Sequence, residues 1–363
     1  MIVDGHAHAF PRLGAGAGFA SADEHRRYLQ RHMSTHPQGG RRVRDNAPVP
    51  GSMLRNPAGD ALEDLPDVGF RVGDFGRLEW EVDGEAYYIQ FLPPHLEATE
   101  ARPERMLAQM QYVGVDKALL QSGKLYGITN EFLADVVRRW PARFRGCATI
   151  DENQAGQLEQ IARLERAVRE LGLTALYFSN DGFAASGFRN HFDDRAYEPF
   201  WDAVEALGVP VLWDIRFAIR RTHADYMAEA RRLRGHLRRR RRIQNVLTHG
   251  LPANAFDGGQ LPEELWEVLA EPNLTVELLF PLLYGASWDY PYPEARAIVR
   301  QLHARLGPTK LLWGSDMPNV ERSCTYRQSL DYLRRYCDFI PAADMELILG
   351  GNANRLYFAS EGT

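Results

Sequence analysis

Cysteine is scarce: Cys147, Cys324 and Cys337 are all there is in 363 residues. So small, odd and unpatterned a set excludes a disulfide framework and a Cys-based zinc site, and it fits a reducing compartment. No apolar run nears the roughly 18 residues of a spanning helix, and the first residues lack the basic-then-apolar order of a secretion signal. A dominant charge is missing too, with 43 Lys and Arg against 48 Asp and Glu for a net -5. That balance argues against nucleic acid and against a membrane surface as partners. The cationic run Arg238 to Arg242 reads as a solvated helix end whose charges suit the C-terminal dipole. The expectation is a cytoplasmic protein with a small-molecule partner, 45% hydrophobic and able to bury one large core or two modest ones.

What is present is a rhythm. From about residue 102 onward helical and strand patterns alternate: a helix ending at Met106 to Val113 precedes Lys117 to Gln121, and the pattern around Phe132, Val136 and Val137 precedes Phe144 to Ile150. Gln157 to Leu171 leads to Thr174 to Phe178, Tyr197 to Leu207 to Val209 to Trp213, and Ala224 to Arg242 to Asn245 to Thr248. Leu261 to Leu269 leads to Leu274 to Leu279, and Glu294 to Leu306 to Leu311 to Trp313. With Ile2 to Gly5 first, eight short strands emerge, seven of them preceded by a helix. This predicts an α/β fold, a (β/α)8 TIM barrel of about 250 residues in a single domain over 1–363. A doubly wound sheet offers no reason for eight regular units.

Residues 9–101 break the rhythm. Gly14 to Gly18 is a Gly/Ala tract whose spacing is wrong for a phosphate loop, and His36 to Pro66 is rich in Pro, Gly and Asn. Leu78 to Val82 and Ala86 to Gln90, around Asp83-Gly84-Glu85, read as a β-hairpin. This insertion follows the first strand, so it hangs from the catalytic face of a barrel. It is expected to form a lid or wall over the site, the alternative being a surface ornament. Its exposed aromatics are compatible with a homodimer.

Val3-Asp4-Gly5-His6-Ala7-His8 runs from a strand straight into His-x-His. Strand alternation puts both imidazoles on one face, roughly 7 Å apart by strand rise, where both can ligate one divalent ion at about 2.1 Å. Further ligands have to come from other strand ends, where catalytic residues of barrels gather. The fifth strand ends in Trp213-Asp214, the sixth in Thr248-His249-Gly250 and the eighth in Trp313-Gly314-Ser315-Asp316-Met317-Pro318. The seventh carries Glu277, which faces the pocket or ends the strand as a solvated charge. Tyr177, Trp213 and Trp313 read as core. The other histidines, His25, His32, His36, His95, His191, His223, His236 and His303, default to the surface, with His191 the one nearest the catalytic side. Arg322, just past Asp316, could hold a substrate carboxylate.

Asp4-Gly5-His6-Ala7-His8, Thr248-His249-Gly250 and Gly314-Ser315-Asp316-Met317-Pro318 resemble the amidohydrolase superfamily, in the branch of the aminocarboxymuconate-semialdehyde and γ-resorcylate decarboxylases. Val115 to Gln121, Pro141 to Gly146 and Gly351 to Leu356 support the resemblance along the whole chain. It implies that His6 and His8 are metal ligands, that Asp316 ligates metal and handles protons, and that His249 is a catalytic histidine near the substrate. The family pattern has a histidine at the end of the fifth strand, where this chain reads Pro210-Val211-Leu212-Trp213-Asp214. Asp214 either replaces it as a ligand or turns to acid–base work. The cofactor expected is one divalent ion, zinc or manganese. The leading expectation is hydrolysis of a small cyclic or aromatic amide, ester or lactone by a metal-activated water. The same residues also suit non-oxidative decarboxylation of an aromatic or unsaturated acid, and loss of the fifth-strand histidine suits an inactive barrel with a binding role.

Overall fold

The computed structural model describes residues 1–36, 38–56, 59, 61–216 and 222–359. Parts of the Pro-, Gly- and Asn-rich stretch, at 37, 57, 58 and 60, therefore lie outside the described residues. Eight parallel strands run in sequential order: β1 (Val3–Ala7), β2 (Lys117–Leu120), β3 (Phe144–Ala148), β4 (Ala175–Ser179), β5 (Val211–Asp214), β6 (Asn245–Leu247), β7 (Leu274–Leu278) and β8 (Leu311–Trp313). A helix precedes each of the last seven, from Pro103–Val113 through Pro293–Leu306. Each helix buries its apolar stripe against the strands, as Met106, Met110 and Val113 do on the first of them. The result is the expected (β/α)8 barrel.

Closure falls between β1 and the exit of β8. The Ala7–Met317 bridge joins them, the His8 amide donates to the Met317 carbonyl at 2.7 Å, and the Asp316 amide donates to the His6 carbonyl at 2.7 Å. The β1–β2 register slips between Asp4 and Ala7, so β1 carries an irregularity at the His-x-His segment itself. Gly5 and Gly314 make the approach possible: a Cβ on Gly314 would stand 2.5 Å from Glu277 Oε1 and 2.7 Å from the His6 Cβ. The opposite end of the barrel is filled by Val3, Leu119, Leu212, Val246 and Leu312, with Ala353 and Tyr357 of the last helix packed on them.

The insertion holds more than the expected hairpin. Arg77–Val82 and Glu85–Gln90 pair around Asp83-Gly84, and Gly40–Arg42, Pro48–Val49 and Arg71–Val72 extend them into a five-stranded antiparallel sheet. A helix, Ala22–Met33, opens at Ser21, whose side chain accepts from the Glu24 amide. Trp80, Leu29, Met33, Leu54 and Phe91 form a hydrophobic cluster of their own. The helix lacked a legible pattern because its buried face includes Gln30, Arg31 and His32 among the apolar residues.

The surface default for the other histidines fails at His25, His32 and His236, all buried. His236 sits among Phe192, Trp201 and Trp213, with ring centroids 4.5 to 6.1 Å away. Trp213 and Trp313 are core as expected, their indole N–H groups donating to the Asn245 side chain and the Ser329 carbonyl. The Arg238 to Arg242 run is partly paired: Arg238 meets Glu271, and Arg240 meets Glu198 and Asp202.

Burial, aided by Arg239 and Arg240, drives the His236 imidazole from 6.5 down to about 3. The unfolded chain then binds a proton that the folded chain refuses, so this stabilisation is complete above pH ~6.5 and is lost as pH falls toward ~3. His236→Phe should flatten that part of the acid slope, measured as urea-unfolding free energy at several pH values. An unchanged slope would assign the acid sensitivity elsewhere.

Candidate active site

Three strand ends bring the ligand-type residues together. His6 Nε2 and His8 Nε2 stand 3.1 Å apart, and Asp316 Oδ1 lies 2.7 Å from the latter and 3.9 Å from the former. His249 Nε2 approaches Asp316 Oδ2 at 3.7 Å. Ligand atoms of His6, His249 and Asp316 all lie within 4.8 Å of one another, and all three residues are buried.

The protons of the histidine pair are fixed from behind. His8 Nδ1 is 2.8 Å from the Gln121 carbonyl, which can only accept, so that nitrogen carries the proton. His6 Nδ1 is 2.9 Å from Glu277 Oε2 and donates to a carboxylate. The two Nε2 atoms then face each other across 3.1 Å, with Asp316 Oδ1 2.7 Å from that of His8. The donor set, imidazoles with one carboxylate and carbonyl or carboxylate groups behind them, fits a divalent zinc- or manganese-type ion.

Glu277 is fully buried and faces inward, which decides its open reading. Its Oε2 takes His6 Nδ1, the Thr248 hydroxyl at 2.8 Å and the His249 amide at 2.7 Å. The last bond holds His249 at φ +60, and the Asp316 amide bond to the His6 carbonyl holds Asp316 at φ +60. Both side chains thus project from left-handed backbone that non-glycine residues rarely adopt, a strain of about 1–3 kcal/mol each that the surrounding bonds must hold. Asp4, within β1, receives the Ser315 hydroxyl and amide, the Tyr326 hydroxyl and the His6 amide.

Charges follow these contacts. Burial alone would push the Asp316 carboxyl up, but His6, His8 and Asn319 bring it down to about 2. Burial works against a charge on His6 as well; Glu277 and Asp316 outweigh it and raise its pKa. The His249 imidazole is held well below its ordinary value by burial first and by Arg216 next. Asp4 rises to about 6 because burial outweighs its hydrogen bonds.

Both oxygens of Asp214 are taken by Arg216, at 2.8 Å each, and the Tyr177 hydroxyl donates to Oδ2 at 3.1 Å. Among the described residues it approaches the ligand group through His249 Nδ1, 3.5 Å away, a buried nitrogen with no hydrogen-bond partner among them. Of the two roles open to Asp214, ligand or acid–base group, this geometry favours neither outright: a guanidinium two residues along is bonded to both carboxylate oxygens. Tyr177 is also more than core, since it lines the cavity.

That cavity opens over the ligand group. Its floor is His8, His249 and Asp316, and Tyr28, His32, His36 and Phe91 of the insertion line it as well. Tyr126 stacks between Phe10 and His8, with centroids 4.4 and 4.7 Å away. Arg322 lines the cavity with its guanidinium on the Asn319 and Phe91 carbonyls and the Gln38 side chain. Tyr28, His32 and His36 were missed, though their spacing of four is a helical signal. His191 is not among the lining residues; it lies 3.7 Å from Glu229.

A family model described as amidohydrolase matches residues 3–359. Gamma-resorcylate decarboxylase of Polaromonas sp. is 41% identical over 85 residues, covering 22% of this chain and 24% of that protein. The chain thus spans about a quarter of that relative in the matched region. 2-Keto-4-carboxy-3-hexenedioate hydratase of Sphingobium sp. is 25% identical over 243 residues, 63% of this chain and 70% of the hydratase. Among solved structures, 5-carboxyvanillate decarboxylase from Sphingomonas paucimobilis superposes with TM-score 0.51 at 21% identity, covering 70% of this chain and 83% of the other. A probable 2-pyrone-4,6-dicarboxylic acid hydrolase from Acinetobacter baumannii gives TM-score 0.57 at 16% identity, covering 71% and 89%. A dihydroxybenzoic acid decarboxylase from Polaromonas sp. JS666, TM-score 0.52 at 18% identity over 71% and 86%, holds manganese and 2-nitroresorcinol.

Asp4→Ala would strip four donors of their acceptor on both sides of the β1–β8 seam. The expected loss is roughly 3 kcal/mol in urea unfolding, since buried unsatisfied donors cost about 1–3 kcal/mol each and neighbours relax. A change under about 0.5 kcal/mol would mean that Asp4 does not hold the seam.

Proposed function

The chain belongs to the amidohydrolase family of enzymes, and on that premise we propose that it is a metal-dependent hydrolase of small cyclic or aromatic esters, lactones or amides bearing a carboxylate. The observation that carries the proposal is the pair of imidazole Nε2 atoms, 3.1 Å apart, beside Asp316 at the floor of a cavity. His6, His8, His249 and Asp316 would hold one divalent ion, zinc or manganese. When bound, such an ion supplies Lewis acidity to a water and to the scissile carbonyl.

The chain's own groups do the rest. Asp316 Oδ1 is engaged by His8 and by the Asn319 amide at 2.6 Å, so Oδ2 is the oxygen that takes the water's proton and returns it to the leaving atom. Its low pKa keeps it an acceptor at neutral pH. Asp214 Oδ2 stands 3.5 Å from His249 Nδ1, with Arg216 balancing its charge. Arg322, engaged on carbonyls, presents its charge to a substrate carboxylate. The insertion, residues 9–101, serves as the wall that keeps bulk water from the reacting bond, through Tyr28, His36 and Phe91.

Decarboxylation is the second reading. It is favoured by the 41% identity of one segment to gamma-resorcylate decarboxylase and by the cavity's cationic Arg322. Asp316 would then take the proton of a substrate ring hydroxyl and pass it to the ring carbon as carbon dioxide leaves, the product departing as the phenolate.

Ring opening of 2-pyrone-4,6-dicarboxylate and carbon dioxide release from 2,6-dihydroxybenzoate, followed in parallel, separate the two readings. Turnover of the second acid alone would reverse their order. Metal analysis of the dialysed protein should find one divalent ion per chain, and full turnover without any would overturn both. Asp316→Asn should lower kcat by about 10²–10⁴-fold. Glu277→Gln should weaken metal affinity about 10–100-fold, checked by competition with a chelating dye.

A further inference from the structure

Tyr126 stands beside the ligand group with a hydroxyl hydrogen that finds no acceptor among the described residues. It ends the short turn Lys124–Tyr126 that follows β2, and it is buried. Its ring stacks on that of Phe10 at 4.4 Å and meets that of His8 at 4.7 Å, which fixes its plane, and the residue lines the cavity.

Asn319 orients the hydroxyl. Its side-chain nitrogen is 2.6 Å from Asp316 Oδ1 and 2.7 Å from Tyr126 Oη. A carboxylate oxygen can only accept, so the amide turns its nitrogen toward both groups, and Tyr126 Oη accepts the second N–H. The hydroxyl's own hydrogen therefore points away from Asn319. An oxygen that already accepts one hydrogen bond is polarised into a better donor. Two hydrogen bonds join Oη to Asp316 Oδ1, which is 2.7 Å from His8 Nε2, so Oη stands where a substrate oxygen would meet the ligand group. The Tyr177 hydroxyl on the same cavity differs, because its hydrogen is committed to Asp214 Oδ2.

We propose that Tyr126, oriented by Asn319, is a catalytic residue: its hydroxyl donates a hydrogen bond to the scissile carbonyl oxygen and holds it as negative charge builds there. The proton stays on Tyr126 throughout. This rests on the hydrolytic reading and adds a residue to it.

Tyr126→Phe in the metal-loaded full chain tests it, since the ring contacts stay and only the donor goes. With 2-pyrone-4,6-dicarboxylate, kcat should fall about 10²–10³-fold while KM stays within about threefold and metal content is unchanged. Inorganic phosphate, tetrahedral and anionic like the reaction intermediate, should bind the variant about 10–100-fold more weakly in calorimetry. An unchanged kcat would overturn the proposal, as would a rise in KM alone or a fall in kcat matched by loss of metal. If the variant fails to fold, 3-fluorotyrosine in place of Tyr126 keeps the hydroxyl, and its fluorine resonance should shift when phosphate is added; a resonance that stays put would overturn the proposal. A wild type that opens no ring, beside a variant with weakened phosphate binding, would sink the hydrolytic reading and leave the donor standing. Without that weakening, both fall.

Discussion

Two imidazole nitrogens held 3.1 Å apart are what the rest of the molecule is arranged around. The Gln121 carbonyl and Glu277 fix the two rings by claiming their opposite nitrogens. The groups around them are buried, where water screens their charges least. Glu277 also joins β1, β6 and β7 through His6, Thr248 and His249 on one oxygen, so the ligand geometry and the barrel's packing are one network.

The same economy explains the strained backbone. His249 and Asp316 could not aim inward from ordinary extended strands at these positions, and both turn through φ +60 at their strand exits. The bonds that hold the turns end on Glu277 and on the His6 carbonyl. Orientation of the reacting groups is thereby settled during folding rather than during the reaction.

Much of this was legible from the residues. The barrel followed from eight apolar runs alternating with helical patterns, and His6, His8, His249 and Asp316 were marked by their places at strand exits. The role of Asp214 stayed open because its surroundings depend on a side chain two positions away, and no pattern says whether Arg216 turns back or out. Glu277 stayed open because a short strand's inward face cannot be read when both faces are covered. Asp4 was visible only as part of a motif, since its partners Ser315 and Tyr326 lie more than three hundred residues off. In the insertion, His32 and Tyr28 keep a helical spacing, but polar residues on the same buried face hid the period.

The seam between the first and last strands has a consequence for how the molecule is made. Asp4 and Ser315 are separated by 311 positions, so a ribosome emits the histidine couple long before the strand that completes its surroundings. Through most of synthesis the early imidazoles have neither the aspartate nor the buried glutamate beside them, and a cation met then finds only two loosely held nitrogens. Asp316 can join His6 and His8 only once the final strand is made and pairs with the first, so their buried surroundings are among the last parts of the barrel to be completed.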